Sequence, residues 1–246
     1  MTHVYDFLGP VLGVGNGLAL LLVLVLLLLG AYRRFWIVLI YVAWELLATV
    51  AFTVADVLYN GTAQVTLATE TQAQRWYTRL YWLNDVLVDL LRFLLVIILI
   101  YKAIPESTKR LAVGRLLAAV VATTILLPFL IFPLSFEPFP KVAWFNSTSE
   151  LLNFGAAIMN LVLWAALIAS KRRDPQLLMV SAGLGVVVTG AAISYGLRHF
   201  IPKGAFTSVL NLFLNLTQLG GWAIWCWAFW PPARRRHVPD NAVSSR

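Results

Sequence analysis

Five ionisable side chains lie inside long apolar runs: Glu45 and Asp56 in one, and Asp85, Asp89 and Arg92 in the next. A charge at bilayer depth costs at least about 2.5–3.5 kcal/mol on insertion scales, so its default reading is functional. At about 100° per residue, Asp85, Asp89 and Arg92 fall within about 60° of one another on a helix, and Glu45 and Asp56 within about 20°. Each helix therefore has one charged stripe. Glu45 lies about ten residues into its run and Arg92 about nine from the end of the next, which at about 1.5 Å per residue puts both near mid-bilayer. Glu45 and Arg92 are thus expected to form a structural ion pair, with Asp89 competing for the same guanidinium at i, i+3 spacing.

Four carboxylates against one arginine leave a negative surplus that a low-dielectric site cannot hold bare. Either some carboxyls keep their protons or water and a cationic group fill the space, and both outcomes imply a polar cavity. Amides on other helices could line it. Asn211, Asn215 and Gln218 form an i, i+4, i+7 stripe, and Asn153 and Asn160 share a face below Glu150. The expected ligand-binding set is therefore Asp56, Asp85, Asp89, Asn153, Asn160, Asn211 and Asn215. The bland alternative for the amides is interhelical hydrogen bonding, worth about 0.6–1.7 kcal/mol per contact.

Other chemistry has little to work with. The three histidines, His3, His199 and His237, all fall outside the apolar runs, which argues against a buried zinc site or a b-type haem. No Gly-x-Ser-x-Gly elbow occurs, and the last run has no lysine for a retinal Schiff base. No cofactor or metal is expected. Asp85 with Asp89 could act as an acid/base pair, but the spacing is not specific to catalysis.

The elements that must position these residues follow from composition. Of 246 residues, 60% are hydrophobic and 12% charged, with mean hydropathy +0.79, against about 45–50% apolar and about 25% charged in soluble domains. The excess apolar surface requires a lipid bilayer as partner. Seven runs are long enough to cross about 30 Å of hydrocarbon: 11–31, 35–58, 80–101, 111–131, 151–170, 177–197 and 206–230. The fold class expected is an all-α seven-transmembrane-helix bundle over 1–230, followed by a short basic tail, 231–246, expected to be disordered.

The net charge of +8 is a topology signal. Arg33, Arg34, Lys102, Lys109, Arg110, Arg115, Lys171, Arg172, Arg173, Arg234, Arg235, Arg236 and Arg246 fall on one side, against Arg75, Arg79, Lys141, Arg198 and Lys203 on the other. The positive-inside rule then puts the amino terminus outside and the tail in the cytoplasm, and removes the case for a nucleic-acid partner. Trp36, Trp227 and Trp230 fall at the inner boundary and Trp76, Trp82 and Trp144 at the outer one, as interface anchors do. Asp174-Pro175 reads as an N-cap with proline at the first helical position. Gly9, Gly13 and Gly17 form a small-xxx-small face, read as packing within the bundle or as a homodimer contact, and the sixth run is also rich in small residues. Pro128 is expected to bend the fourth helix. Asn60-Gly61-Thr62 and Asn146-Ser147-Thr148 are glycosylation triplets on the outer side. The single Cys226 reads as a small buried residue.

Tyr81-Trp82-Leu83-Asn84-Asp85, followed by an aliphatic helix ending Ile100-Tyr101-Lys102, resembles a group of uncharacterised bacterial seven-helix integral membrane proteins whose third helix opens Tyr-Trp-x-x-Glu. The resemblance extends to Glu150, to the glycine-rich sixth helix and to Leu210-Asn211 opening the seventh. Asp85 stands where the group has glutamate, and no arginine follows Glu150 where the group tends to have one. The resemblance implies fold and membrane setting but no activity.

The expected function is that of a non-enzymatic plasma- or inner-membrane protein of the sensor or receptor kind. It would bind a small polar or cationic ligand in an outward-facing cavity between helices two, three, five and seven, and signal through a separate cytoplasmic partner. A small proton- or sodium-coupled transporter and an intramembrane lipid-modifying enzyme are the alternatives. No internal repeat joins spans one to three with five to seven, which weighs against the transporter.

Overall fold

The computed structural model describes residues 2–62, 72–104, 110–131, 142–169, 174–200 and 205–230, with side chains near several of these ends, including that of Asp56, outside the described part. The tail 231–246 also lies outside it. Among the described residues seven α-helices follow one another: α1 Thr2–Leu26, α2 Trp36–Thr62, α3 Gln72–Ala103, α4 Arg110–Ile131, α5 Val142–Ala169, α6 Pro175–Phe200 and α7 Ala205–Phe229. A π-helical turn, Leu27–Ala31, ends α1 before the chain reverses into α2. Helix α5 begins nine residues before the expected 151, so the second triplet is helical. Thr148 is buried and its hydroxyl donates to the Trp144 carbonyl at 2.8 Å, so Asn146 is not presented on a loop.

Among the described residues, five helices contain stretches long and apolar enough to cross a membrane: Leu8–Ala31, Trp36–Ala55, Arg110–Ile131, Trp144–Ile168 and Pro175–Arg198. The outer surface agrees, with Leu130 77% and Leu29 78% exposed, a pattern that only a hydrocarbon solvent tolerates at this density. The molecule is a polytopic, multi-pass integral membrane protein, consistent with a place in the plasma membrane. Helices α3 and α7 are as long as the others but are not among these five. Asp85, Asp89 and Arg92 interrupt α3, and Asn211, Asn215 and Gln218 dilute α7.

Packing explains where that polarity goes. The helices form a ring in the order α1, α2, α3, α5, α6, α7, with α4 outside against α3 and α5, while α3 and α6 also meet across the middle. Phe93, Leu95, Val96 and Leu99 of α3 are fully buried, as are Val180, Leu184 and Val188 of α6. Small residues bring α6 and α7 together: a methyl on Gly183 would run into the Trp225 ring and the Gly221 carbonyl. The α6 glycines therefore serve packing, as small residues do between helices in lipid. On α1 a methyl on Gly13 or Gly17 would meet nothing within 4 Å, so these two glycines are not required by a close approach inside the bundle. At the start of α6, Leu177 N donates to Asp174 Oδ1 at 3.2 Å, the expected cap. Helix α4 runs through Pro128 to Ile131.

Candidate functional site

Helix α2 packs on α1 and α3, yet among the described residues it makes no close backbone approach to α6 or α7. At one end of the bundle the gap is closed by rings. Tyr41 of α2 stacks on Trp222 with centroids 5.9 Å apart and meets Trp225 edge-on at 6.0 Å. Trp225 is itself fixed by donation from Nε1 to the Val180 carbonyl at 2.8 Å. Towards the other end the facing residues are smaller or polar, Ala48, Thr49 and Thr53 against Asn211 and Asn215, and a cavity of about 480 Å³ opens between α2, α3, α6 and α7. That volume falls within the range of about 300–1,000 Å³ typical of small-molecule sites.

Its floor is an ion-pair node. Arg92, 4% exposed, donates from Nε to the Tyr41 hydroxyl at 3.0 Å, from Nη1 to Asp89 Oδ1 at 2.9 Å and from Nη2 to Glu45 Oε1 at 3.3 Å. The structure thus brings Glu45, Asp89 and Arg92 together across α2 and α3. Tyr41 accepts the guanidinium's Nε hydrogen bond, a role that its position in an apolar run does not announce. Glu45 Oε2 is buried with no hydrogen-bond partner among the described residues, and Glu45 lines the cavity.

The walls hold Asp85, Asn211 and Asn215 of the expected set, with Gln218. Asn215 donates from Nδ2 to the Asn211 carbonyl at 2.9 Å, and Asn16 of α1 donates to the Asn215 carbonyl at 3.3 Å. Asp89, Asn153 and Asn160 stand elsewhere. Asp89 is fully buried behind the node, beside Ser149 and Asn153 of α5. Asn153 is also fully buried and donates to the Ser149 carbonyl at 2.8 Å, while Asn160 packs against Gly185 of α6. Helix α5 lies behind α3 and α6 rather than beside the cavity, so its amides face the protein interior, and α6 replaces it as a wall.

From α6 come two residues that sequence reasoning passed over. The Tyr195 hydroxyl donates to Asp85 Oδ2 at 2.8 Å. Arg198, assigned above to an outer loop, lines the cavity, lies over the Tyr195 ring at 5.1 Å and donates from Nη2 to Asn211 Oδ1 at 2.7 Å. The available signal was their i, i+3 spacing at the end of an apolar run, which puts both on one face. With Arg198 present, the surplus of three negative charges shrinks: Glu45, Asp85 and Asp89 face two guanidiniums. The rim is aromatic, with Phe52 edge-on to Tyr77 at 5.8 Å and to Tyr81 at 5.6 Å, and Tyr81 against Trp82 at 5.7 Å.

The opposite end of the bundle is tied shut. Phe35 meets Phe229 edge-on at 5.5 Å, Arg34 pairs with Asp174, and Lys102 Nζ donates to the Arg34 carbonyl at 2.7 Å. Burial and then the neighbouring Arg34 cation push the Lys102 ammonium below its usual range. Gln176 Nε2 donates to the Ala228 carbonyl at 3.2 Å.

Among the described residues no group of three or more histidine, cysteine, aspartate or glutamate side chains is placed to hold a metal. Compared with protein-family models, with curated proteins and with solved structures, the chain matches none.

Proposed function

We propose that all seven helices cross the membrane, with the amino terminus outside and the tail in the cytoplasm. In this reading the protein is a non-enzymatic sensor or receptor that binds a small polar or cationic ligand in the cavity between α2, α3, α6 and α7. The crossing of α3 and α7 is supported because the residues that lower their hydropathy line the node or the cavity while apolar residues such as Leu83 of α3 and Leu216 and Trp227 of α7 are exposed on the outer surface. Charge asymmetry between the loops supports the orientation, which makes the cavity end the outer end. Four residues of the stretch that resembles the bacterial seven-helix group, Tyr81, Trp82, Asn84 and Asp85, line the cavity, and membership in that group is part of the same proposal.

The observation that carries the reading is a polar cavity in the bundle with ionisable groups on its walls and floor, among them Glu45, whose Oε2 has no hydrogen-bond partner among the described residues. Sites of this kind are concave, partly aromatic and supplied with a few polar groups that fix orientation. The closed floor favours binding over passage, since Arg92 and the Tyr41, Trp222 and Trp225 rings block the way to the opposite end. The test is thermal unfolding of the purified protein in detergent against a panel of small cations, zwitterions and neutral polar compounds. At least one compound is expected to raise the midpoint, and Asp85→Asn to abolish the shift. A panel without effect, or a shift indifferent to Asp85→Asn, overturns the reading. Uptake into proteoliposomes that follows an ion gradient would mark a transporter instead.

A further inference from the structure

Two charges on the cavity have no ionic partner of their own. Glu45 and Asp89 share Arg92, so the floor is internally paired. Asp85, by contrast, receives only the neutral Tyr195 hydroxyl, and Arg198 donates only to the neutral Asn211 side-chain oxygen Oδ1, among the described residues. Both line the cavity. Opposite charges this close in a low-dielectric setting would be expected to pair directly. They meet Tyr195 instead: its hydroxyl donates to Asp85 at 2.8 Å while the Arg198 guanidinium lies over its ring at 5.1 Å, so one residue contacts both the carboxylate and the guanidinium. Arg198 Nε is moreover buried with no hydrogen-bond partner among the described residues, although guanidinium donors are normally satisfied.

We infer that the ligand is a small zwitterion of the α-amino-acid type, its ammonium on Asp85 and its carboxylate on Arg198. This rests on the ligand-binding reading above and narrows it. A free amino acid carries both charges at neutral pH. Its two charged ends can meet the two groups when each makes its own charge-assisted hydrogen bond at about 2.7–2.9 Å. Asn211 and Asn215 stand beside Arg198 as further polar groups, and the Phe52, Tyr81 and Trp82 rings offer an apolar surface to the side chain. A simple cation would leave Arg198 uncompensated, and a simple anion would leave Asp85 so.

The experiment measures midpoint shifts of the full chain in detergent with the twenty free L-amino acids, with the methyl ester and the N-acetyl derivative of each, and with choline as a plain cation. At least one free amino acid is expected to stabilise, with its ester and its N-acetyl derivative each bound at least tenfold more weakly. Arg198→Gln is expected to make the ester bind as well as the free acid, and Arg198→Lys to restore the preference. Choline or an ester binding as tightly as any free amino acid overturns the inference but leaves the cavity as a cation site. Silence across the whole set overturns both.

Discussion

The two ends of this bundle use the same helices to opposite effect. At one, large rings and short polar links join the turn before α2 with α2, α3, α6 and α7: Phe35 on Phe229, Tyr41 on Trp222 and Trp225, Lys102 on the Arg34 carbonyl and Gln176 on the Ala228 carbonyl. At the other, alanine, threonine and asparagine face one another across the α2–α7 gap and leave a cavity on whose walls Asp85 and Arg198 both contact Tyr195. Between them the Arg92 node is at once the cavity's floor and the closed end's roof. Side-chain volume decides which end closes, because helices that both carry bulky residues can meet through those residues without approaching by backbone. Polarity then decides what the open end is suited to hold.

Breaking the node should erase the distinction between the ends. Arg92→Leu would leave Glu45 and Asp89 as buried, uncompensated carboxylates, and a loss of about 3–5 kcal/mol is expected in equilibrium unfolding in mixed micelles. The triple change Arg92→Leu, Glu45→Gln, Asp89→Asn removes the charges together and should recover much of that loss. A triple variant no more stable than the single one would show that the node acts through shape and not through charge. Gly183→Ala tests the tight α6–α7 crossing that supports both regions. Overpacking against Trp225 and Gly221 should cost about 1–3 kcal/mol by the same measurement, and an unchanged stability would mean that the contact relaxes freely.

Tyr195→Phe addresses the open end alone. Loss of the hydrogen bond to Asp85 should cost about 0.5–1.5 kcal/mol and let Arg198 swing towards the freed carboxylate, reducing ligand binding more than it reduces stability. Equal binding by this variant would remove the role assigned to the hydroxyl. The smallest effect belongs to the surface of the closed end. Arg34→Gln breaks a half-exposed ion pair with Asp174 and should change stability by about 0–1 kcal/mol, falling further at high salt. A larger, salt-insensitive loss would show that this end depends on electrostatics more than on its ring packing.

The mid-depth pairing of Glu45 with Arg92 was legible because it needs only helix rise and two neighbouring helices. The share taken by Tyr41 was not, since a tyrosine within an apolar run looks like any other core residue until its partner is known. Asn153 and Asn160 were read as cavity residues from their common face, but a face says nothing about which neighbour it meets, and α5 turned out to lie behind α3. Arg198 was hidden by its position at a helix end, where a cation ordinarily contributes only to the charge balance of a loop. The glycines of α6 and of α1 both read as small-residue faces in sequence, yet those of α6 are crowded by α5 and α7 while Gly13 and Gly17 of α1 meet nothing within 4 Å.

By itself the sequence determined a multi-pass helical membrane protein, the helix count, the cap at Asp174 and the burial of charge on α2 and α3. These follow from composition, periodicity and local chemistry, which act within a few turns of one chain segment. Only the tertiary structure decided the ring order, and with it the gap between α2 and α7, the arrival of Tyr195 and Arg198 from α6 and the contacts of Tyr195 with Asp85 and Arg198. Those depend on the volumes of residues more than a hundred positions apart, and no local pattern encodes which of them will meet.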